Sequence, residues 1–212
     1  MAEPAARGLR IDDLLPCLMH WSITDERIEG FRSDAFAVHT TDGLMVIDPV
    51  PLTADLQTRL EGAAGIFLTH GNHQRSAWRL RRELGAPVYA PVRAVGMDEE
   101  PDSRFDETTD LPGGLRGVRA DAFNDACYLV FTPAEGAGVL FCGDLICHDP
   151  DGPYRFPVQP GYFDPAWGRE DAHRLLELPV GVLCAAHAAP SVDGCHDALQ
   201  GAIDRSSRSP RR

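Results

Sequence analysis

Short apolar segments alternate along the chain with polar connections that are rich in glycine and proline. Three of these segments, 66–70, 139–144 and 180–187, end in a side chain that can bind a metal or take part in catalysis. Open α/β folds place their ligands at the carboxyl ends of the strands. Histidine and aspartate are ligands of borderline and hard metals. The pattern therefore predicts a metal site at which His70, Asp144 and His187 meet.

The same alternation of segments predicts an α/β protein. Strands are predicted at 18–23, 35–40, 44–48, 66–69, 88–90, 115–120, 126–131, 139–142 and 180–185, and helices at 53–60, 72–84, 166–177 and 195–204. Strands that are followed by helix–strand pairs, twice over, predict two similar halves packed sheet to sheet with the helices outside. We expect residues 1–205 to form a single domain.

Several stretches are predicted to lie outside the regular elements. Residues 1–15 are expected to be a loose lead-in to the first strand. The stretches 93–114 and 148–165 are rich in proline, glycine and aspartate, and we expect them to be surface loops that flank the site. The tail 206–212 is rich in serine and arginine and is predicted to be disordered.

Composition and charge exclude several classes of function. The net charge of −12 argues against a nucleic-acid-binding protein, which needs a basic face. The absence of lysine excludes a Schiff-base mechanism and a lysine-containing phosphate loop. The six cysteines include no C-x-x-C pair. The sequence shows no pattern of a signal peptide and no apolar run of membrane-spanning length. We therefore expect a cytoplasmic protein that contacts no membrane.

Four short motifs together resemble those of a known family. They are Val46-Ile-Asp48-Pro, Leu68-Thr-His70-Gly-Asn-His-Gln-Arg75, Phe141-Cys-Gly-Asp144 and Ala185-Ala-His187. Their order and spacing, over roughly residues 17–200, are similar to those of the metallo-β-lactamase-fold superfamily. The resemblance implies an α/β fold of a particular kind. This is the αβ/βα four-layer sandwich, in which two mixed β-sheets carry helices on their outer faces and a metal site lies at one edge.

The second of these motifs departs from the family pattern. The family sequence is T-H-x-H-x-D-H, and this chain keeps only Thr69 and His70. Asn72, Gln74 and Arg75 stand at the other three ligand positions. Asparagine and glutamine can coordinate oxygen-preferring ions but are poor ligands for zinc. The resemblance therefore implies a weakened metal site.

The remaining ligand positions are partly kept. Phe123 stands where the family has its next ligand histidine, whereas Asp144 and His187 match the last two ligands. Three of the seven ligand positions are therefore kept, and the implied metal ligands are His70, Asp144 and His187. This set implies either no metal or a single divalent ion, which would be zinc, iron or manganese.

Five further residues are predicted to line the site: Asp48, Asn72, His73, Gln74 and Arg75. Asp48 would hold the backbone near the site rather than take part in the chemistry. Asn72 is expected to be the N-cap of the following helix in preference to a ligand. His73 lies one residue from the family position, and a turn could direct it inward. Arg75 is predicted to form an ion pair with Asp144 that replaces the second metal.

Two classes of function are compatible with these residues. One is a non-catalytic binding or regulatory module that kept the fold and lost the chemistry, and we prefer it because four ligand positions differ. The other is a hydrolase of a small ester, thioester or lactone that uses one residual metal. In both cases we expect a small-molecule ligand. The sequence does not indicate its identity or the oligomeric state.

Overall fold

The computed structural model describes residues 3–148 and 152–208. Within these residues, seven strands form the first sheet in the order of the sequence: β1 (Asp12–Leu15), β2 (Leu18–Asp25), β3 (Phe31–Thr40), β4 (Gly43–Ile47), β5 (Ala63–Phe67), β6 (Val88–Pro91) and β7 (Ser103–Phe105). Strands β1 to β4 pair in antiparallel fashion. Strands β4 to β7 pair in parallel, so the carboxyl ends of β4 and β5 lie at one edge of the sheet.

The second sheet is smaller. In the described chain it contains four strands: β8 (Leu115–Arg119), β9 (Cys127–Phe131), β10 (Gly138–Cys147) and β11 (Val180–His187). Their order is β11-β10-β9-β8, with β10 and β11 parallel and the other pairs antiparallel. The α-helices of the described residues are α1 (Ala54–Gln57), α2 (Ala77–Leu84), α3 (Pro165–Leu176) and α4 (Cys195–Arg208).

Alternation of side chains along the strands separates three apolar cores. In β10, Val139 and Phe141 face the first sheet, whereas Leu140 and Cys142 face helices α3 and α4. The first sheet likewise divides its side chains between the second sheet and helix α2. This period of two residues is the one a strand imposes. The resulting order of helices, sheet, sheet and helices confirms the predicted four-layer α/β sandwich.

The structure differs from the predicted elements mainly where tertiary pairing decides the conformation. Strand β1 lies within the predicted lead-in, and β7 lies within the predicted loop 93–114 because it pairs with β6. Helix α1 ends at Gln57 and continues as a 3-10 turn to Leu60. Helix α4 extends to Arg208, three residues into the predicted tail, and 209–212 lie outside the described residues.

The predicted loop 148–165 is described except for 149–151. Helix α3 begins at its end, where the Asp164 carboxylate accepts hydrogen bonds from the backbone N–H groups of Ala166 and Trp167 and so caps the helix. None of the helices in the described part of the chain combines the length and apolar character that crossing a membrane requires.

Candidate metal site

Three strands bring polar side chains to one rim of the sandwich. His70 follows β5, Asp144 lies within β10, and His187 is the last residue of β11. The two sheets are joined at this rim, where the Cys127 N–H donates a 2.9 Å hydrogen bond to the Thr69 carbonyl. The structure thus brings the three residues together. Asp144 is not at a strand end, however, because β10 continues to Cys147, beyond the predicted end at 142.

Gly143 permits the close approach of β10 to His70. Its φ is +53°, a left-handed conformation that glycine adopts without strain. A Cβ atom at this position would lie 2.7 Å from the His70 ring and from the Thr69 hydroxyl. Any larger residue would therefore displace the histidine or bend the strand that carries Asp144.

A 3-10 turn over Gly71–Gln74 follows His70 and determines which side chains enter the site. This turn directs His73 inward, the outcome that the one-residue offset left open. The prediction that Asn72 caps the following helix is wrong: α2 begins only at Ala77, after Ser76. The chain between His70 and α2 is therefore a turn rather than the first turn of the helix.

His73 lies between two carboxylates. Its Nδ1 is 3.0 Å from Asp48 Oδ2, and its Nε2 is 2.9 Å from Asp144 Oδ1. Burial lowers the pKa of His73, but the charges of Asp144 and Asp48 outweigh burial and raise it to about 9. The sequence did not single out this residue as a ligand because its position depends on the turn and not on the strand pattern.

Asp48 holds the backbone that carries both histidines. It accepts hydrogen bonds from the Thr69 N–H at 2.8 Å and from the Thr69 hydroxyl at 2.5 Å. Its own φ is +47°, which is uncommon for a residue with a side chain. Asp48 therefore fixes the strand end at Thr69 and orients His73 at the same time.

Arg75 does not form the predicted ion pair with Asp144. Its guanidinium donates to the carbonyl oxygens of Asp34 at 3.0 Å and Asp48 at 3.2 Å. In the described part of the chain, the ion pairs of Asp144 are with His73 and His187. The prediction is wrong: Arg75 is buried, and its guanidinium is held by a backbone carbonyl of β3 and by that of the residue after β4.

The Gln74 side chain also forms hydrogen bonds away from His70, His73 and Asp144. Its Oε1 accepts hydrogen bonds from Trp78 Nε1 and from the Asp98 N–H, each at 2.7 Å. These bonds tie the turn to helix α2 and to the loop that precedes β7. The family positions at Gln74 and Arg75 therefore serve the scaffold in this chain.

The three imidazoles share one orientation. Their Nδ1 atoms face protein oxygens: His187 lies 2.6 Å from the Arg32 carbonyl, His73 faces Asp48, and His70 lies 3.3 Å from the Thr69 hydroxyl. The Arg32 carbonyl and the Asp48 carboxylate can only accept, and the Thr69 hydroxyl donates its own proton to Asp48, so each Nδ1 donates and Nε2 is the atom directed to a ligand. Histidines that bind metals commonly show this arrangement, in which an outer oxygen orients the ring.

The Nε2 atoms converge on Asp144. Ligand atoms of His70, His73 and Asp144 all lie within 4.8 Å of one another. His187 Nε2 adjoins this group at 3.3 Å from Asp144 Oδ1 but is not one of its three members. The structure thus brings His73 into the central group and leaves the predicted ligand His187 beside it.

The three ligand atoms suit a metal ion. Among the described residues, His70 Nε2, His73 Nε2 and Asp144 Oδ1 are buried and make no hydrogen bond of good geometry, although the last two are 2.9 Å apart. A buried polar atom left without a hydrogen bond costs about 1–3 kcal/mol. Two imidazole nitrogens and one carboxylate oxygen are a donor set for zinc, iron or manganese. The residues present therefore fit one divalent ion.

The charge states of His70 and Asp144 also suit a metal. Burial lowers the pKa of His70 to about 4, so its ring is neutral near pH 7. Burial would raise the pKa of Asp144, but His73 and His70 outweigh this effect and hold it well below its usual range. A neutral imidazole and an ionised carboxylate are the forms that coordinate metals. His73, with a pKa raised to about 9, is protonated near pH 7 in the metal-free protein and must release its Nε2 proton when an ion binds.

Asp144 and His187 line a cavity of about 480 Å³, whereas His70 and His73 are buried and do not line it. Phe31, Val158 and Tyr162 also line it. The Tyr162 hydroxyl lies 3.2 Å from Asp144 Oδ2. Sequence reasoning missed Tyr162, which comes from the proline-rich loop, because its distance along the chain from the other site residues gives no signal.

Phe123 occupies the position at which the family resemblance suggests another histidine. Its ring packs edge-on against His70, with the ring centroids 4.7 Å apart. An apolar ring here supplies no ligand atom but buries the histidine. This contact contributes to the desolvation that lowers the pKa of His70.

Comparison with known proteins supports the fold and leaves the activity open. No family model matches the sequence, and no curated protein matches it. Similar solved structures include the following three. The metallo-β-lactamase FIM-1 from Pseudomonas aeruginosa, in its mono-zinc form, is 12% identical, with a TM-score of 0.71 over 98% of each chain. A metallo-β-lactamase from Erythrobacter litoralis is 10% identical, with a TM-score of 0.72 over 95% of this chain and 100% of that one.

The third is an archaeal metallo-β-lactamase superfamily protein from Sulfolobus tokodaii. It is 15% identical, with a TM-score of 0.64 over 82% of this chain and 79% of that chain. At these identities the likeness shows the fold alone. The chain therefore has the metallo-β-lactamase fold, as its motifs predict.

Proposed function

We propose that this chain binds one divalent metal ion through His70, His73 and Asp144 and that it hydrolyses a small ester, thioester or lactone. The observation that supports the proposal is the convergence of three buried ligand atoms that make no hydrogen bond of good geometry with the described residues. A structural role would satisfy such atoms with hydrogen bonds. A metal ion would satisfy all three at once.

A single ion agrees with the rest of the site. Gln74 and Arg75, at two of the remaining family positions, bond to the scaffold, and Phe123 offers no ligand atom at a third. One metal with three protein ligands is typical of catalytic sites, because a coordination position stays open. When bound, such an ion supplies Lewis acidity and lowers the pKa of a water molecule to near neutrality.

The inward turn of His73 changes the balance between the two classes of function. The sequence alone favours the non-catalytic module because each metal implied by the resemblance has too few ligands. With His73 in the group, three ligand atoms are available for one ion. The non-catalytic binding module is therefore the second candidate, and it is distinguished by the same experiment.

The cavity supports a small substrate with an apolar part. Its volume of about 480 Å³ is in the range of small-molecule sites. Phe31 and Val158 offer apolar contacts, and Asp144 and Tyr162 provide the polar end. The Tyr162 hydroxyl donates a hydrogen bond to Asp144 Oδ2, whereas Asp144 Oδ1 faces the histidines.

The proposal is tested by measuring metal content and hydrolysis together. Protein purified without added metal should contain about one zinc, iron or manganese ion per chain, and the variant His73→Ala should lose it. His39→Ala, which alters an exposed histidine on β3, is the matched control and should keep the metal. Circular dichroism of each variant checks that it is folded.

Hydrolysis is assayed with p-nitrophenyl acetate, an acetyl thioester and γ-butyrolactone. We expect turnover of at least one probe by the wild type, its loss on chelation, and its return when the metal is added back. A wild type without metal that cannot be loaded with one overturns the metal site. A metal-loaded wild type that turns over none of the probes favours the binding module.

A further inference from the structure

A second cavity, of about 460 Å³, lies between the proline-rich loop and helix α4. Tyr162, which accepts a 3.1 Å hydrogen bond from Asn72 Nδ2, lines the metal-site cavity, whereas the next residue, Phe163, lines the second one. The proposed function gives this second cavity no role. We call it the α4 cavity, and its lining residues are 155–160, Phe163, Pro165, Ala202, Arg205 and Ser206.

The walls of the α4 cavity are largely apolar. Phe156 and Phe163 are buried, and their ring centroids lie 5.7 Å apart. Ala202 of helix α4 is part of the same lining, and Val158 leaves 82% of its surface exposed. Covering apolar surface is favourable because it removes that surface from water. The cavity therefore suits the hydrocarbon part of a ligand.

Prolines give one wall of the α4 cavity a fixed shape. Pro157, Pro160 and Pro165 all line it. The ring of each proline locks the φ angle of the backbone. A wall that is already rigid loses little conformational entropy when a ligand binds. With a volume in the range of small-molecule sites, the cavity is ready to receive a ligand.

The charged residues of this lining, in the part of the chain that the structure describes, are Arg155 and Arg205. The chain as a whole has the opposite balance, with 32 acidic and 20 basic residues. Arg155 is directed to its own loop, where its Nη1 donates to the Phe156 carbonyl at 3.3 Å. A positive and otherwise apolar cavity in an acidic protein favours an anion that carries an apolar group.

Arg205 holds one edge of its guanidinium in position for an anion. Its Nε donates a 2.8 Å hydrogen bond to the Tyr154 carbonyl, and its Nη2 donates to the same oxygen. These bonds fix the half-buried side chain. Among the described residues, Arg205 has no ion-pair partner and its Nη1 makes no hydrogen bond. The edge formed by Nη1 and Nη2 is one that a carboxylate can bind with both oxygens.

We infer that the α4 cavity binds a carboxylate with an apolar chain, such as a medium-chain fatty acid, with the carboxylate on Arg205 and the chain against Phe156 and Phe163. The inference goes beyond the proposed function and does not require the metal. It follows from a cation without a counter-charge next to apolar walls of fixed shape. A small inorganic anion would leave the walls uncovered, and an uncharged apolar molecule would leave Arg205 without a partner.

The test is a titration of the protein with decanoate, followed by isothermal titration calorimetry. We expect saturable binding at one site. Arg205→Met keeps an extended side chain without the charge and should weaken binding about 10- to 100-fold. Arg116→Met, at an exposed position of β8, changes the net charge equally and should alter the affinity less than about threefold. Circular dichroism checks that each variant is folded.

A second variant and a neutral probe test the same site independently. Ser206→Asp places a negative charge in the lining and should weaken decanoate binding at least about 10-fold, even if Arg205→Met does not fold. The probe 1-decanol has the chain without the charge, and its affinity should be the same for wild type and Arg205→Met.

Nuclear magnetic resonance locates the ligand. Decanoate should shift the backbone amide signals of Phe163, Ala202 and Ser206 more than those of Asp144 and His187. Shifts centred on the metal-site cavity overturn the inference, as do equal affinities of wild type and Arg205→Met for decanoate. Dimerisation of the wild type without decanoate binding also overturns it, because a second copy then covers this face. The measurements of metal content do not depend on these results, so failure here is distinguishable from failure of the proposed function.

Discussion

Two buried aspartates of this protein, Asp171 and Asp144, have opposite surroundings. Asp171, on α3, accepts hydrogen bonds from the backbone N–H groups of Asp121 and Ala122, each at 2.9 Å, and from the Tyr128 hydroxyl at 2.7 Å. The Arg174 guanidinium also donates to it. Both carboxylate oxygens therefore have directed donors, and they fasten α3 to the chain that follows β8.

Asp144 has charged neighbours but few directed hydrogen bonds. Its Oδ1 lies 2.9 Å from His73 Nε2 and 3.3 Å from His187 Nε2, so its close neighbours are imidazoles of the site and not backbone N–H groups. Burial raises the pKa of Asp171, whereas the imidazoles outweigh burial and hold the pKa of Asp144 well below its usual range. Completed hydrogen bonds thus indicate a structural carboxylate, and converging unpartnered atoms indicate a ligand site.

Substitution of Asp171 tests whether it is a structural carboxylate, and we expect it to have the largest effect on stability. Asp171→Asn removes the charge that faces Arg174 and leaves buried donors without a full set of acceptors. We expect the free energy of unfolding of the metal-free protein to fall by about 3 kcal/mol. Urea unfolding followed by circular dichroism measures this change.

The control for Asp171→Asn is its neighbour on the exposed face of α3. Glu170→Gln should alter stability by less than about 0.5 kcal/mol. The metal affinity of folded Asp171→Asn should stay within about threefold of the wild type, since the substitution lies outside the group of ligand atoms. A large loss of metal affinity with little change in stability would reverse the roles that we assign to the two aspartates.

Substitution of Asp144 tests whether it is a metal ligand. Asp144→Asn removes the carboxylate on which the histidine Nε2 atoms converge. We expect the metal dissociation constant to rise by at least about 100-fold, or about 2.7 kcal/mol. Titration of metal-free protein against a chelator of known affinity measures it.

The stability of metal-free Asp144→Asn should fall less than that of Asp171→Asn, because fewer directed hydrogen bonds are lost. Asp197→Asn, at an exposed position of α4, is the matched control and should bind metal as the wild type does. A variant Asp144→Asn that binds metal normally would contradict the assignment of Asp144 as a ligand.

The comparison also explains which parts of the site could be predicted from the sequence. The strand pattern places His70 and His187 at one rim because they come after or at the carboxyl ends of β5 and β11, and it places Asp144 after the apolar run that begins β10. The family resemblance adds the packing of the two sheets, which the pattern alone gives only in outline. Both kinds of information concern regular elements.

The rest of the site depends on features with no periodic signal. His73 enters through a 3-10 turn that ends in the positive φ of Arg75, and the same turn sends the Arg75 side chain away from Asp144. Tyr162 reaches the site from a loop, and only the folded chain shows that contact. Asp171 resembles any polar residue of an amphipathic helix until its donors are seen. Turn geometry and long-range contacts, rather than residue type, separate the ligands from the scaffold.

A third buried carboxylate, Asp25, extends the comparison because its contribution to stability should depend on pH. Its substitution has the smallest expected effect on stability. Asp25 ends β2 and accepts hydrogen bonds from Arg27 Nη2 at 2.6 Å and from the Ser33 hydroxyl at 3.0 Å. Burial would raise the pKa of Asp25, but these hydrogen bonds and the Arg27 charge outweigh it and lower the pKa to about 2. By its donors Asp25 belongs with Asp171, as a structural carboxylate.

The sign of the pH effect follows from this lowered pKa. Between about pH 4, near the pKa of an unfolded aspartate, and pH 2, the folded chain holds fewer protons at Asp25 than the unfolded chain does. The contribution of Asp25 to stability is therefore fully present above this range and is lost as the pH falls through it. At pH 7 we expect Asp25→Asn to be less stable than the wild type by about 1–2 kcal/mol, a value reduced for the partial exposure of Arg27.

Chemical unfolding of metal-free wild type and Asp25→Asn at pH 7, 5 and 3 measures this contribution. The difference between the two proteins should be equal at pH 7 and pH 5 and should fall by about half at pH 3. Metal affinity at pH 7 should be the same in both, because Asp25 lies outside the group of ligand atoms formed by His70, His73 and Asp144. A difference that grows at low pH would mean that Asp25 is better accommodated in its protonated form, and hydrogen-bonded surroundings would then no longer identify a structural carboxylate in this fold.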